Sequence, residues 1–320
     1  MSKNKARWQL LKNAVVDKKV AGIGDFVLSQ SVRSFFSFNL FVKTKCNCVG
    51  EGCNPRAKDK TDCLWYAYTC DTLPYSKEIW VRHPDQRINL KEVTSFNNTG
   101  NVCIWPTEEV MAYYCISHIA KFHNKSIIEL GGGSSSLAGM CVAFNSWSTE
   151  VVVTDGNSKC VDTLNDVIKM NKVSKRKELS CGPQISAVEL RWDLQSNFSQ
   201  YHHAFDFVLC SDCLFFDEYR QSLVDTIYYL LKPEGTALIF APRRGNTFSL
   251  FVKICKEKFN YVEQHNDYSQ HIVDLHEEQG LKNKFYNPDL HFPILLEIKN
   301  VVVTEEVIDE MLDTAITTDC

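Results

Sequence analysis

Residues 126–140, SIIELGGGSSSLAGM, decide how this chain reads. A short apolar run containing Glu129 gives way to three glycines, three serines and then small apolar residues. That is a strand, a tight turn and a helix start. Gly131, Gly132 and Gly133 let the backbone turn sharply and press against a ligand where a Cβ would intrude. Amides at the start of the following helix favour polar or anionic groups. Strand, glycine turn and helix in that order mark the first crossover of a nucleotide-binding α/β domain, although such glycines also serve plain tight turns.

Downstream of this stretch the pattern alternates strand and helix, as a mostly parallel sheet demands. Strands are predicted at 126–130, 150–154, 186–190, 205–210 and 236–241, with helices at about 137–145, 159–172, 219–231 and 247–258. Two more strands follow, Tyr261–His265 and Phe292–Lys299, separated by a polar stretch. Seven strands ending in such a pair suit a sheet with an antiparallel edge.

Upstream, Trp8, Leu11 and Val15 recur at helical spacing within residues 6–19, and Ser34–Val42 is aromatic-rich and reads as a strand. Residues 44–63 turn polar and read as a mobile loop. Leu64–Cys70 and Glu78–His83 form a predicted hairpin across Pro74. Pro106 followed by Glu108 and Glu109 is a helix start, with the acids beside the positive dipole end. Its apolar side would carry Val110, Met111, Tyr114 and Cys115. The expected organisation is an N-terminal helix and β-hairpin extension over residues 1–98, an α/β domain over 99–300 and an acidic tail over 301–320. That tail carries an apolar stripe at Val307, Met311 and Ala315.

A hydrophobic fraction of 44% and a charged fraction of 23% are those of an ordinary globular protein. No apolar run approaches the length of a membrane span. The N-terminus lacks the apolar core and cleavage site of a signal peptide, so a cytoplasmic protein, also nuclear if KVSKRK at 172–177 acts as a signal, is the expectation. Of fourteen cysteines, Cys103, Cys115, Cys141, Cys210, Cys213 and Cys255 sit inside apolar runs as small hydrophobes, and the cysteines are expected to remain thiols. Cys46, Cys48, Cys53 and Cys63 fit no common zinc spacing, so no metal is expected. A net charge of −4 gives no electrostatic case for nucleic acid. A monomer is expected.

Asp155, at the end of the second strand, suits the grip on ribose hydroxyls seen in dinucleotide dehydrogenases. The third glycine of their fingerprint is absent, however, with Ser135 and Ser136 in its place. The blocks ELGGG at 129–133, TDGN at 154–157, LRWD at 190–193 and SDCLFFDEY at 211–219 resemble instead the class I, seven-β-strand methyltransferases. Among these the chain is similar to the lysine methyltransferases with a D/E-x-x-Y/F motif after the fourth strand, matched here by Asp212–Phe215. SFNLF at 37–41, TGNVCIWPTEEVMAYYC at 99–115 and FAPRRGNT at 240–247 bring it nearest the branch that acts on calmodulin. The resemblance runs from the first strand to about residue 299.

The resemblance implies a Rossmann-like α/β fold with an N-terminal helix and small β extension. It also implies S-adenosylmethionine as cofactor and the trimethylation of a lysine in calmodulin. By the same implication, Trp105 closes over the cofactor and Gly131–Gly133 admit its methionine part, with Glu129 orienting the ammonium. Asp155 takes the ribose hydroxyls, while Trp192 and Asp193 hold the adenine. Ser211 and Asp212 sit at the ligand end of the fourth strand, Asp212 steering the target amine and Phe215 walling its channel. Arg243 and Arg244 would meet an acidic substrate. Each has a plainer reading: helix caps for Asp155 and Asp212, core packing for Trp105 and Trp192, and solvated surface for the arginines. A catalytically inactive interaction module stays open because Phe215 replaces the commoner tyrosine.

Overall fold

A computed structural model describes residues 37–46, 65–73, 75–83, 104–174, 184–214, 217–284 and 286–300. The predicted helix at 6–19, most of loop 44–63, Phe215 and the acidic tail lie outside the described residues. A seven-stranded sheet holds β4 (Ser126–Leu130), β5 (Glu150–Asp155), β6 (Ile185–Glu189), β7 (Phe205–Ser211), β8 (Leu231–Ala241), β9 (Tyr261–His265) and β10 (Ile294–Lys299). Their spatial order is β6-β5-β4-β7-β8-β10-β9. The first five are mutually parallel, while β10 runs antiparallel to both β8 and β9. This is the Rossmann-like fold the resemblance implies and the mostly parallel sheet the alternation predicts, except that the antiparallel strand is β10 inside the sheet and not the edge strand β9.

The strand interiors explain the layering. Ile127, Val151 and Val153 point to one core, and their neighbours Ile128 and Val152 point to the other. β4 is buried along its whole length because helices cover both faces, so Ile127 and Ile128 are apolar on successive positions rather than alternating with exposed polar ones, and its polar residues Ser126 and Glu129 are buried too. On the first face lie α1 (Pro106–Ser117), α2 (Leu137–Asn145) and α3 (Ser158–Ser174); on the second lie α4 (Arg220–Leu230) and α5 (Thr247–Lys258). α1 is buried from Pro106 to Ile116, not only on the apolar side expected of it.

A three-stranded antiparallel sheet, β1 (Val42–Lys45), β2 (Trp65–Thr69) and β3 (Ile79–Arg82), adds its buried residues to the first core. The predicted hairpin is β2–β3. Asn171 of α3 finishes the edge of β3: its amide accepts from Trp80 N at 2.9 Å and donates to Trp80 O at 2.8 Å, copying a ladder partner.

Two sequence expectations fail. Of the strand predicted at Ser34–Val42, residues 34–36 lie outside the described residues and 37–41 are not strand; the strand formed there is Val42–Lys45, which also claims Thr44 and Lys45 from the predicted loop. The reason is an acid distant in sequence. Asn39 takes a left-handed φ of 53°, and the amides of Phe38, Leu40 and Phe41 bond the Glu109 carboxylate instead of a strand. The polar stretch between the last two strands contains α6 (Gln270–Lys282). It is half-exposed and buries only Ile272 among its residues, so it lacks the apolar stripe by which helices are recognised.

Candidate active site

The parallel strands all end on one side of the sheet, and the chain reverses its direction of sheet-building between β4 and β7. In open α/β sheets the crevice at such a reversal is where ligands bind. Gly131–Gly133, Asp155, Trp192, Asp193, Ser211, Asp212, Arg243 and Arg244 all follow or end the strands that open onto this side.

The glycine turn is tightly built. Gly131 and Gly133 have φ of 63° and 61°, in the left-handed region open to glycine. A Cβ on Gly131 would stand 2.7 Å from Cys213 Sγ and 3.2 Å from the Trp192 ring; one on Gly132 would strike Ser136. The turn is sewn to β5, with Gly132 N donating to Thr154 O at 2.9 Å and Gly133 N to Asp155 Oδ2 at 3.0 Å. The other oxygen of Asp155 accepts from Asn157 N at 2.8 Å. Burial drives the Asp155 carboxyl up to about 6, and these two amides oppose the rise.

Glu129 is fully buried beneath the turn. Its Oε2 accepts from Gly139 N at 2.7 Å, while Oε1 has no hydrogen-bond partner. Burial, with the nearby charge of Glu108 adding, pushes its carboxyl up to about 8. The Ser136 hydroxyl is likewise buried and unpartnered. Trp192 is half-buried against Gly131, and Trp105 is half-buried at the start of α1. Asp193 is exposed and paired with Arg191 at 2.9 Å, a contact that lowers its pKa. Ser211 is buried, its carbonyl taking Cys213 Sγ at 3.2 Å.

Asp212 sits at the end of β7 with φ of 55°, its amide bound to Phe240 O at 2.9 Å. Its carboxylate faces Arg244: Nη2 donates to Oδ2 at 2.8 Å, and Nη1 makes a close ionic contact of 2.6 Å with Oδ1. Of the two arginines only Arg243 is exposed. Sequence reading had both arginines meeting substrate and did not foresee this pair.

It also missed the role of Glu108, read only as an acid beside the positive end of its own helix. Glu108 is 5% exposed and bonded to the glycine segment. The one available signal was two consecutive acids in a helix with little other polarity. The resulting acceptor set fits a sulfonium nucleoside carrying an amino acid. Carboxylates at the ends of β4 and β5 suit an ammonium and vicinal hydroxyls, and Glu129 still has a lone buried oxygen to offer. Among the described residues no His, Cys, Asp and Glu cluster is arranged to hold a metal.

The family model described as lysine methyltransferase matches residues 83–258. A calmodulin-lysine N-methyltransferase of Arabidopsis thaliana is 30% identical, the match covering 94% of this chain and 98% of the relative. A protein-lysine methyltransferase of Mus musculus is 27% identical over 54% of this chain and 68% of its own length. A crystal structure of a methyltransferase from Pyrococcus furiosus aligns with 61% of this chain and 84% of its own, at 11% identity and a TM-score of 0.42. This chain belongs to the lysine methyltransferase family, with S-adenosylmethionine as its cofactor.

Proposed function

We propose that the chain methylates a lysine ε-amine of calmodulin. The observation that carries this reading is the match with the plant calmodulin-lysine N-methyltransferase over 94% of this chain and 98% of that relative. The cofactor supplies a methyl group on a sulfonium, and in-line transfer to an amine asks the protein mainly for alignment and exclusion of water. Asp155 accepts the ribose hydroxyls, the glycine turn and Glu129 hold the methionine end, and Trp105 and Trp192 enclose the remainder. Asp212 orients the incoming amine.

Two charges bear on that amine. A lysine ammonium about 4 Å from a sulfonium is opposed by roughly 4 kcal/mol at an effective dielectric near 20. That is about three pKa units, enough to release the proton to water near neutrality without a dedicated base. Before substrate arrives, Arg244 occupies the Asp212 carboxylate. An acidic protein surface draws the guanidinium outward and leaves the carboxylate to the lysine. Since the whole chain is itself mildly acidic, such recognition rests on local groups, Arg243 and Arg244 first among them.

Incubating the recombinant protein with labelled cofactor and a cell lysate tests the reading. One small acidic labelled band is expected. A labelled protein of different size and charge would redirect the activity to another lysine substrate, a reading supported by the mouse relative.

A further inference from the structure

The start of α2 is the end of the glycine turn, and it has no local cap. Ser136 stands at the N-cap position with a left-handed φ of 38°, and its side chain makes no capping hydrogen bond. Helix starts ordinarily satisfy their free amides with such a side chain. Here the acceptor comes from another helix. Glu108 Oε1 takes Leu137 N, the first residue of α2, at 3.0 Å and also the Ser135 hydroxyl. Its Oε2 takes Trp105 N at 3.3 Å.

One carboxylate thus ties the segment bearing Trp105 to the segment bearing the glycines, 29 residues away in sequence. Among the described residues Glu108 has no basic partner; burial pushes its carboxyl up to about 7, and the three donors and the positive end of α2 offset only part of that rise. Its neighbour Glu109 is equally buried but faces elsewhere, taking the amides of Leu40 at 2.6 Å, Phe38 at 3.2 Å and Phe41 at 3.4 Å. The two acids make a natural comparison: similar burial and helix position, with different segments held.

We infer that Glu108 is a positioning residue for the cofactor, capping α2 from outside and keeping the glycine turn and Trp105 in register with each other. The inference rests on the reading of those two segments as cofactor walls. Calorimetric titration with S-adenosylhomocysteine, run below the melting temperature of each variant, tests it. Glu108→Ala should raise Kd at least tenfold. Glu108→Gln keeps one acceptor oxygen but turns an NH2 toward donors, so about a fivefold rise is expected. Glu109→Gln should lower the melting temperature yet leave Kd within twofold. If Glu108→Ala fails to fold, Glu108→Gln decides. Wild-type affinity in Glu108→Gln, or equal weakening in Glu109→Gln, would overturn the inference and leave the cofactor assignment standing. No binding by the wild-type chain would instead remove the reading of the site, and the inference with it.

Discussion

Asp212 and Arg244, 32 residues apart, face each other through both carboxylate oxygens and both terminal guanidinium nitrogens at the mouth of the β4–β7 crevice. The Asp212 side chain is 10% exposed and that of Arg244 26%. Removing the arginine therefore strands a nearly buried carboxylate, and partial exposure keeps the cost to about 1–3 kcal/mol. Arg244→Ala should lower the melting temperature by several degrees and reduce kcat/KM on calmodulin at least tenfold. Arg244→Lys, which keeps charge but loses the planar fork, should fall between. Unchanged melting and kinetics in Arg244→Ala would show the pair to be incidental.

Arg244 is itself held. It sits at φ of 46° followed by Gly245 at 69°, a turn pinned from the segment before β10: Arg244 N donates to Asp289 O at 2.7 Å and Gly245 N to Asp289 Oδ2 at 2.8 Å. Asp289→Ala should lower kcat/KM about threefold to tenfold, while Asp289→Asn retains an acceptor and most of the activity. In an Arg244→Ala background, Asp289→Ala should cost nothing more. Equal losses in both backgrounds would mean that Asp289 does not act through the arginine.

Glycines in this fold are not equivalent, and two of them separate strain from space. Gly131 has both a positive φ and a Cβ position blocked by Cys213 and Trp192; Gly245 has only the positive φ, with nothing within 4 Å. Gly245→Ala should cost about 1 kcal/mol of stability and leave S-adenosylhomocysteine affinity alone. Gly131→Ala should cost more than 2 kcal/mol and abolish detectable binding. Chemical denaturation paired with calorimetry distinguishes them, and similar losses at both positions would contradict the packing described for the turn.

The buried acid under the turn gives a pH signature. Folding raises the Glu129 carboxyl from an ordinary value near 4.5 to about 8, burial being the main cause. Between those values the native state keeps a proton that the unfolded chain has lost, so this group's contribution to stability falls as pH rises through the window. Glu129→Gln is neutral throughout and escapes that loss. Its melting temperature relative to wild type should therefore climb from pH 5.5 to pH 8.5. Parallel curves would mean that the carboxyl is ionised in the native state across the range.

Much of this was legible before any coordinates. Among the strands from Ser126 to Ala241, β4, β5, β7 and β8 announced themselves because each carries a largely buried apolar stretch, while β6 is only partly buried. The glycine turn and Asp155 were legible because backbone conformation and strand-end position constrain residue type directly. What stayed hidden depends on contacts distant in sequence. Nothing local in PTEEV distinguishes a solvated helix start from Glu108 and Glu109 turned inward to distant amides. Nothing in RRGN says that Arg244 folds back onto Asp212 while Arg243 stays outside. α6 was missed because it buries a single side chain, and β1 was misplaced because Glu109, not a strand, takes the amides of Phe38 to Phe41.

The most direct test of the account is the intact mass of purified calmodulin after incubation with S-adenosylmethionine and this protein, beside an Asp212→Ala variant that still binds S-adenosylhomocysteine. Methyl additions confined to one lysine with the wild-type protein, and reduced at least a hundredfold with the variant, are the predicted result. Unmodified calmodulin with the wild-type protein, or equal methylation by both proteins, would contradict it.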